Sequence, residues 1–177
     1  HGTYIESIGI SFFSQNPEVI TSLLAGGVDI NARTETGETP LHRAASAVYY
    51  NKPDILSVLL EAGADINART ETGETPLHRL NGSELLRALD VRYATTKLNA
   101  LNVLLDAGAD INARTDSGVT PLHVAAENSA NPDIIATLLN AGADATAVNS
   151  EGETPFDLAK DNEALIGTVA YWSLNDA

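Results

Sequence analysis

Fifteen consecutive residues occur twice in this chain without a change: Asp29 to Arg43 reads DINARTETGETPLHR, and so does Asp65 to Arg79. Asp110 to Val124 is a third copy, DINARTDSGVTPLHV, different only at positions 116, 117, 119 and 124. Ser150 opens a weaker fourth, SEGETPFDLA. The marker prolines Pro40, Pro76, Pro121 and Pro155 stand 36, 45 and 34 residues apart. Self-similarity at such a period restricts the fold to an array. Each unit is one supersecondary element that buries its apolar side only by stacking on its neighbours.

The residues inside one period read as two short helices and a turn. Thr39, Thr75, Thr120 and Thr154 are placed to cap a helix, with proline next at the first helical position, where its missing N–H costs nothing. Ala44-Ala45 and Ala125-Ala126 keep that helix slim, so that layers can approach. Paired apolar positions four apart follow: Val19/Ile20 with Leu23/Leu24, Ile55/Leu56 with Leu59/Leu60, and Ile134/Ile135 with Leu138/Leu139. Gly63, Gly108 and Gly142 then supply the left-handed residue that ends the second helix. The stretch from Asp65 to Glu74 is polar and turn-rich, as a projecting hairpin requires, and Asn31, Asn67 and Asn112 are expected to bond the turn backbone.

Taken in this order, G-x-T-P-L-H, Ala-Ala and a Leu-Leu-x-x-Gly-Ala-Asp ending resemble the ankyrin repeat over essentially the whole chain. The resemblance implies an all-α solenoid of five stacked helix-turn-helix repeats with short β-hairpin-like projections. The units run over 3–33 (an N-terminal cap carrying Phe12 and Phe13), 34–69, 70–114, 115–148 and 149–177 (a C-terminal cap with Ala170-Tyr171-Trp172 and a polar tail). Asn16-Pro17 and Asn131-Pro132 before second helices are similar to bacterial members. Against a unit of about 33 residues, the second is three residues longer and the third twelve. The excess falls near Ala47 to Asn51 and within Leu80 to Thr96. In the latter, Leu85, Leu86, Leu89 and Tyr93 share one face if the stretch is helical, with Ser83 as its cap. Leu80-Asn81 replaces the alanine pair there, so the first helix of that unit is expected to depart from the pattern.

Composition removes whole classes of chemistry. There is no cysteine, hence no disulfide and no thiolate, and the net charge of −14 opposes nucleic acid and anionic membranes. No apolar run approaches the roughly 20 residues of a membrane span. With no methionine, the chain is expected to be a trimmed, processed or partial form. His42, His78 and His123 recur one per unit, with Asp157 at the fourth place, and the resemblance implies local hydrogen bonds that steady the turn rather than a shared metal. The hairpin carboxylates Glu35, Glu38, Glu71, Glu74, Asp116, Glu151 and Glu153 are expected to be solvated. No nucleophile elbow, phosphate loop or dinucleotide fingerprint is present, and DINAR lacks the alternation of a calcium loop. No enzymatic activity, cofactor or metal is expected.

What remains is binding to another protein, one with a basic surface being favoured by the charge. The hairpin tips supply candidate contacts: Arg33, Glu35, Thr36 and Glu38; Arg69, Glu71, Thr72 and Glu74; and Arg114, Asp116, Ser117 and Val119, where the third tip differs and selectivity is expected. Glu127 and Asn128 add the end of an inner helix. The rows of Arg and acid read either as a charge-compensated ladder or as a polar recognition strip. Tyr49, Tyr50, Arg92 and Tyr93 lie in or beside the insertions and are side-chain types in which binding energy concentrates. The competing reading packs them against the added helix. A monomer is expected, in the cytoplasm slightly ahead of a secreted or periplasmic setting. The alternative function is a structural spacer within a larger multidomain protein or enzyme.

Overall fold

A computed structural model describes residues 21–22, 25–46, 54–81 and 91–176. Among the described residues there are eight helices and no strand: α1 (Pro40–Ser46), α2 (Asp54–Glu61), α3 (Pro76–Asn81), α4 (Val91–Asp106), α5 (Pro121–Asn128), α6 (Pro132–Asn140), α7 (Pro155–Ala159) and α8 (Val169–Asn175). They form four pairs. The first helices pack in a row, α1 on α3, α3 on α5 and α5 on α7, and the second helices make a parallel row, α2 on α4, α4 on α6 and α6 on α8.

Local chemistry accounts for the boundaries. At α5, Thr120 is extended at the N-cap, its hydroxyl accepts from the His123 N–H, and Pro121 takes the first helical position. Thr154 does the same for α7 through Asp157. Gly63, Gly108 and Gly142 end the second helices with φ of 91°, 85° and 93°, a backbone that only glycine adopts without strain. The core runs unbroken along the stack, with Leu41, Leu77 and Leu122 from the first row and Leu59, Leu104 and Leu138 from the second all buried. Ala44, Ala45, Ala125 and Ala126 are buried where first helices meet their neighbours.

The long third unit resolves one open point. α4 begins at Val91, inside the inserted stretch, and continues without a break into the unit's own second helix, giving 16 residues against 8 in α2. The described part of the insertion therefore lengthens an existing helix. Ser83, Leu85, Leu86 and Leu89 lie outside the described residues, as do Phe12 and Phe13. Leu80 in place of alanine is accommodated: it is buried, and α3 runs on to Asn81.

Two side-chain ladders tie each layer to the next. His42 Nε2 donates to the Glu74 carbonyl, His78 Nε2 to that of Val119 and His123 Nε2 to that of Glu153, each at 3.0 Å. The local bonds expected of these rings are present, each Nδ1 bonding the threonine of its own turn, and the Nε2 bond to the following layer is additional to them. The asparagines behave likewise. Asn31 donates to the Gly63 carbonyl at 3.1 Å and accepts from the Asp65 N–H at 2.8 Å, so the turn it bonds belongs to the following layer. Asn67 and Asn112 repeat the arrangement.

The last layer turns these groups inward. Thr146 stands where Asn would be and donates to Asp144 at 2.7 Å, which with a backbone bond from Thr146 holds that carboxyl below its ordinary range. Asp157 stands where His would be and bonds Thr154 and Lys160, the Lys160 bond at 2.7 Å being the main cause of its strongly lowered pKa.

Candidate functional site

The projecting tips are short hairpins closed by their own backbone. In the first, the Thr34 N–H donates to the Glu38 carbonyl at 2.9 Å and the Gly37 N–H to the Thr34 carbonyl at 2.9 Å; the other three tips repeat both bonds. Neighbouring tips are then joined through backbone: the Glu71 N–H donates to the Thr36 carbonyl at 3.0 Å, Asp116 to Thr72 at 3.1 Å and Ser150 to Ser117 at 2.8 Å. The result is a continuous rail of four hairpins, each joined to the next through backbone.

The repeated arginines reinforce the rail. Arg33 donates to the Arg69 carbonyl, Arg69 to the Arg114 carbonyl at 2.8 Å, and Arg114 to the Val148 carbonyl. Each guanidinium thus crosses one layer and lies over a tip glycine. A Cβ on Gly37 would fall 2.8 Å from Arg33 and 2.8 Å from the Glu71 nitrogen, and Gly73 is confined in the same way by Arg69 and Asp116. One arginine also reaches an acid of the following tip, Arg69 to Asp116 at 3.9 Å, the outer limit of an ion pair.

These bonds leave Glu35, Thr36, Glu71, Thr72, Asp116 and Ser117 exposed along the rail, with Arg33, Arg69 and Arg114 exposed beside them. Glu38 departs from the expectation of a solvated acid. Its side chain is only 13% exposed, because Arg79 of the following layer closes over it at 2.8 Å while Arg43 meets its other oxygen at 3.3 Å. Arg79 also holds Glu74 at 3.0 Å, so four charges make one cluster at the junction of tips and first helices. The third unit breaks it, since Val119 and Val124 occupy the positions of Glu74 and Arg79, and both are part-buried. Along the first-helix row the surface therefore passes from Arg43 and Arg79 to Val124 and Leu158.

Glu127 and Asn128 are exposed at the end of α5, where Asn128 donates to the Val124 carbonyl at 3.1 Å and to Glu127 at 3.2 Å. Tyr49 and Tyr50 lie outside the described residues. Arg92 and Tyr93 fall in the first turn of α4, their side chains likewise outside them. Sequence reasoning passed over Arg43, Arg79 and Val124. The available signal was that position 124 is one of four at which the third copy differs from the first two.

Burial, the largest cause, lowers the pKa of His42, His78 and His123, bringing His78 to about 4, so all three rings are neutral staples at neutral pH. Among the described residues no three of His, Asp and Glu converge on a point where an ion could sit, and no helix is long and apolar enough to cross a membrane.

Two family models match the sequence. One, described as ankyrin repeats (3 copies), covers residues 9–90, and the other, described as ankyrin repeats (many copies), covers residues 104–159. Between them they take in well over half of the chain. No curated protein matches it significantly.

Proposed function

The chain belongs to the ankyrin-repeat family, whose repeats are in general protein–protein interaction modules, and from that premise we propose that it is a non-catalytic binder of another protein, engaged through the hairpin rail and the adjoining first helices. The observation that carries this reading is the backbone bonding between tips, which presents Glu35, Thr36, Glu71, Thr72, Asp116 and Ser117 from a preformed support. Preorganisation matters because ordering loops on binding costs about 0.5–1.5 kcal/mol per immobilised side chain. The first-helix row adds Arg43, Arg79 and Val124 to the same face. A standard interface needs about 800 Å² from each partner, an area that one unit's tip cannot supply and several in line can.

The net charge of −14 favours a partner with a basic surface, whose encounter is accelerated at low ionic strength. The direct test is affinity capture from a native lysate with the wild-type chain and with a variant carrying Glu35→Lys, Glu71→Lys and Asp116→Lys. These exposed side chains carry little of the fold. Loss of specific partners from the variant supports the reading, and identical recovery by both chains sinks it.

A spacer role is the second reading, favoured by the use of every tip arginine to bond the following layer. It predicts that charge reversal on the rail changes no capture result while stability of any parent protein depends on this region.

A further inference from the structure

Three large apolar side chains near the end of the stack face solvent: Ile166 is 52% exposed, Trp172 54% and Val169 83%. Val169 and Trp172 are three residues apart on α8 and so share a face of it. Ile166 lies three residues before Val169, in the turn that enters the helix. The stacking side of α8 is occupied by other residues. Ala170 and Leu174 are buried in the core, and the Tyr171 ring lies 5.1 Å from that of Phe156. Trp172 meets Tyr171 edge-on at 5.1 Å, which holds the indole in place while half of it stays in water. The exposed trio is thus additional to what holds the last layer down.

Asp161, Glu163 and Asp176 are exposed, and Lys160 is the one cation between Pro155 and Asp176. Lys160 is bonded to Asp157 at 2.7 Å and lies over the Phe156 ring, so those two charges offset each other and the three acids set the local potential.

We infer that Ile166, Val169 and Trp172 form a second docking surface, which takes an amphipathic segment of a partner protein with Lys or Arg flanking its apolar residues. Apolar contact holds the segment, and the basic flanks meet Asp161, Glu163 and Asp176. Two other occupants are disfavoured by the same acids. A second copy docking through this face sets carboxylates against carboxylates, and an anionic bilayer is repelled. The inference is independent of the reading given for the tips.

Trp172 is the chain's only tryptophan, so its emission reports on this place alone. The probe is a synthetic amphipathic helix of Leu and Lys, compared with one of the same length in which Glu replaces Lys. The Lys peptide is expected to shift the emission to the blue in a saturable way that weakens with salt, and the Glu peptide to leave it unchanged. Val169→Asp, at a side chain outside the core, is expected to weaken the titration at least about tenfold with the melting temperature retained. Charge reversal of Glu35, Glu71 and Asp116 is expected to leave the shift intact. No shift with the Lys peptide, an undiminished shift in the Val169→Asp chain, or loss of the shift on reversing the tip acids each overturns the inference. So does a blue shift that grows with protein concentration alone, which identifies a second copy as the occupant.

Discussion

The Nε2–H of His78 donates to the carbonyl of Val119 at 3.0 Å, tying the start of one first helix to the tip of the following layer. Its Nδ1 accepts from the Thr75 N–H at 3.1 Å. The bonds assign the neutral tautomer with the proton on Nε2. A second proton on Nδ1 would face the Thr75 N–H and end that bond, leaving the Thr75 hydroxyl at 2.9 Å as its one partner in the turn.

Stability should therefore fall on mild acidification. Burial brings His78 to about 4, against a value near 6.5 in the unfolded chain. Because the folded value is the lower one, the contribution of the neutral ring is complete above about pH 6.5 and is lost as pH falls toward 4. His42 and His123 are shifted in the same direction. Urea denaturation at about pH 7 and about pH 5 should show a loss on the order of 2 kcal/mol from His78 alone. The His78→Gln chain should have a shallower pH slope, and an unaltered slope would count against the assignment.

The tip glycines offer a comparison within one molecule. Gly73 and Gly152 have φ of 79° and 82° at equivalent hairpin positions, but only Gly73 is enclosed. A Cβ there would lie 2.6 Å from Arg69 and 3.0 Å from the backbone nitrogen of Asp116, whereas one at Gly152 meets nothing within 4 Å. Alanine at Gly152 should cost about 1–2 kcal/mol, the left-handed backbone alone. Gly73→Ala should cost clearly more, since the rail must also open. Equal losses in melting experiments would mean that tips stack more loosely than their bonds indicate.

How far the fold was legible depended on whether the governing chemistry was local. Thr120 before Pro121, and Gly63 after a paired-leucine helix, act within a few residues, and reading along the chain found them. The reach of His42 to the Glu74 carbonyl and the covering of Glu38 by Arg79 were not legible. They depend on the gap between layers, which no single unit encodes. Glu38 therefore read as an ordinary hairpin acid. The exposed strip at Trp172 was missed for a related reason. Ala170, Tyr171 and Leu174 have the spacing of a capping helix, and that pattern says nothing of the side chains pointing the other way.

Asn112 bridges two layers with both ends of its amide, donating to the Gly142 carbonyl at 3.1 Å and accepting from the Asp144 N–H at 2.8 Å. At about 0.5–1.5 kcal/mol for each net hydrogen bond, Asn112→Ala should cost roughly 1–3 kcal/mol. Thr146, the corresponding residue of the last layer, bonds only Asp144 of its own turn. Thr146→Ala should therefore cost distinctly less by chemical denaturation. The reverse order would show that the ladder is not what joins the layers.

A substitution at Val124 tests stability and the proposed recognition face separately. In the two units before it, the corresponding residues are Arg43 and Arg79, and Arg79 reaches back to Glu38 of the preceding layer at 2.8 Å. An arginine at 124 would stand in the same relation to Glu74, which is now held by Arg79 alone among the ion pairs at that junction. Val124→Arg therefore extends the charge cluster by one layer. Its effect on folding should be small, within about 1 kcal/mol, as for other partly exposed ion pairs. Its effect on binding should be large if the proposed face is correct. It replaces an apolar contact beside Val119 with a charge, and losing such a contact at an interface centre costs on the order of 2 kcal/mol. The measurement is a melting curve together with the affinity for whichever partner the tip acids select. A retained melting temperature with a fall in affinity of roughly tenfold or more places Val124 in the interface. A retained affinity removes the first-helix row from it and confines recognition to the tips.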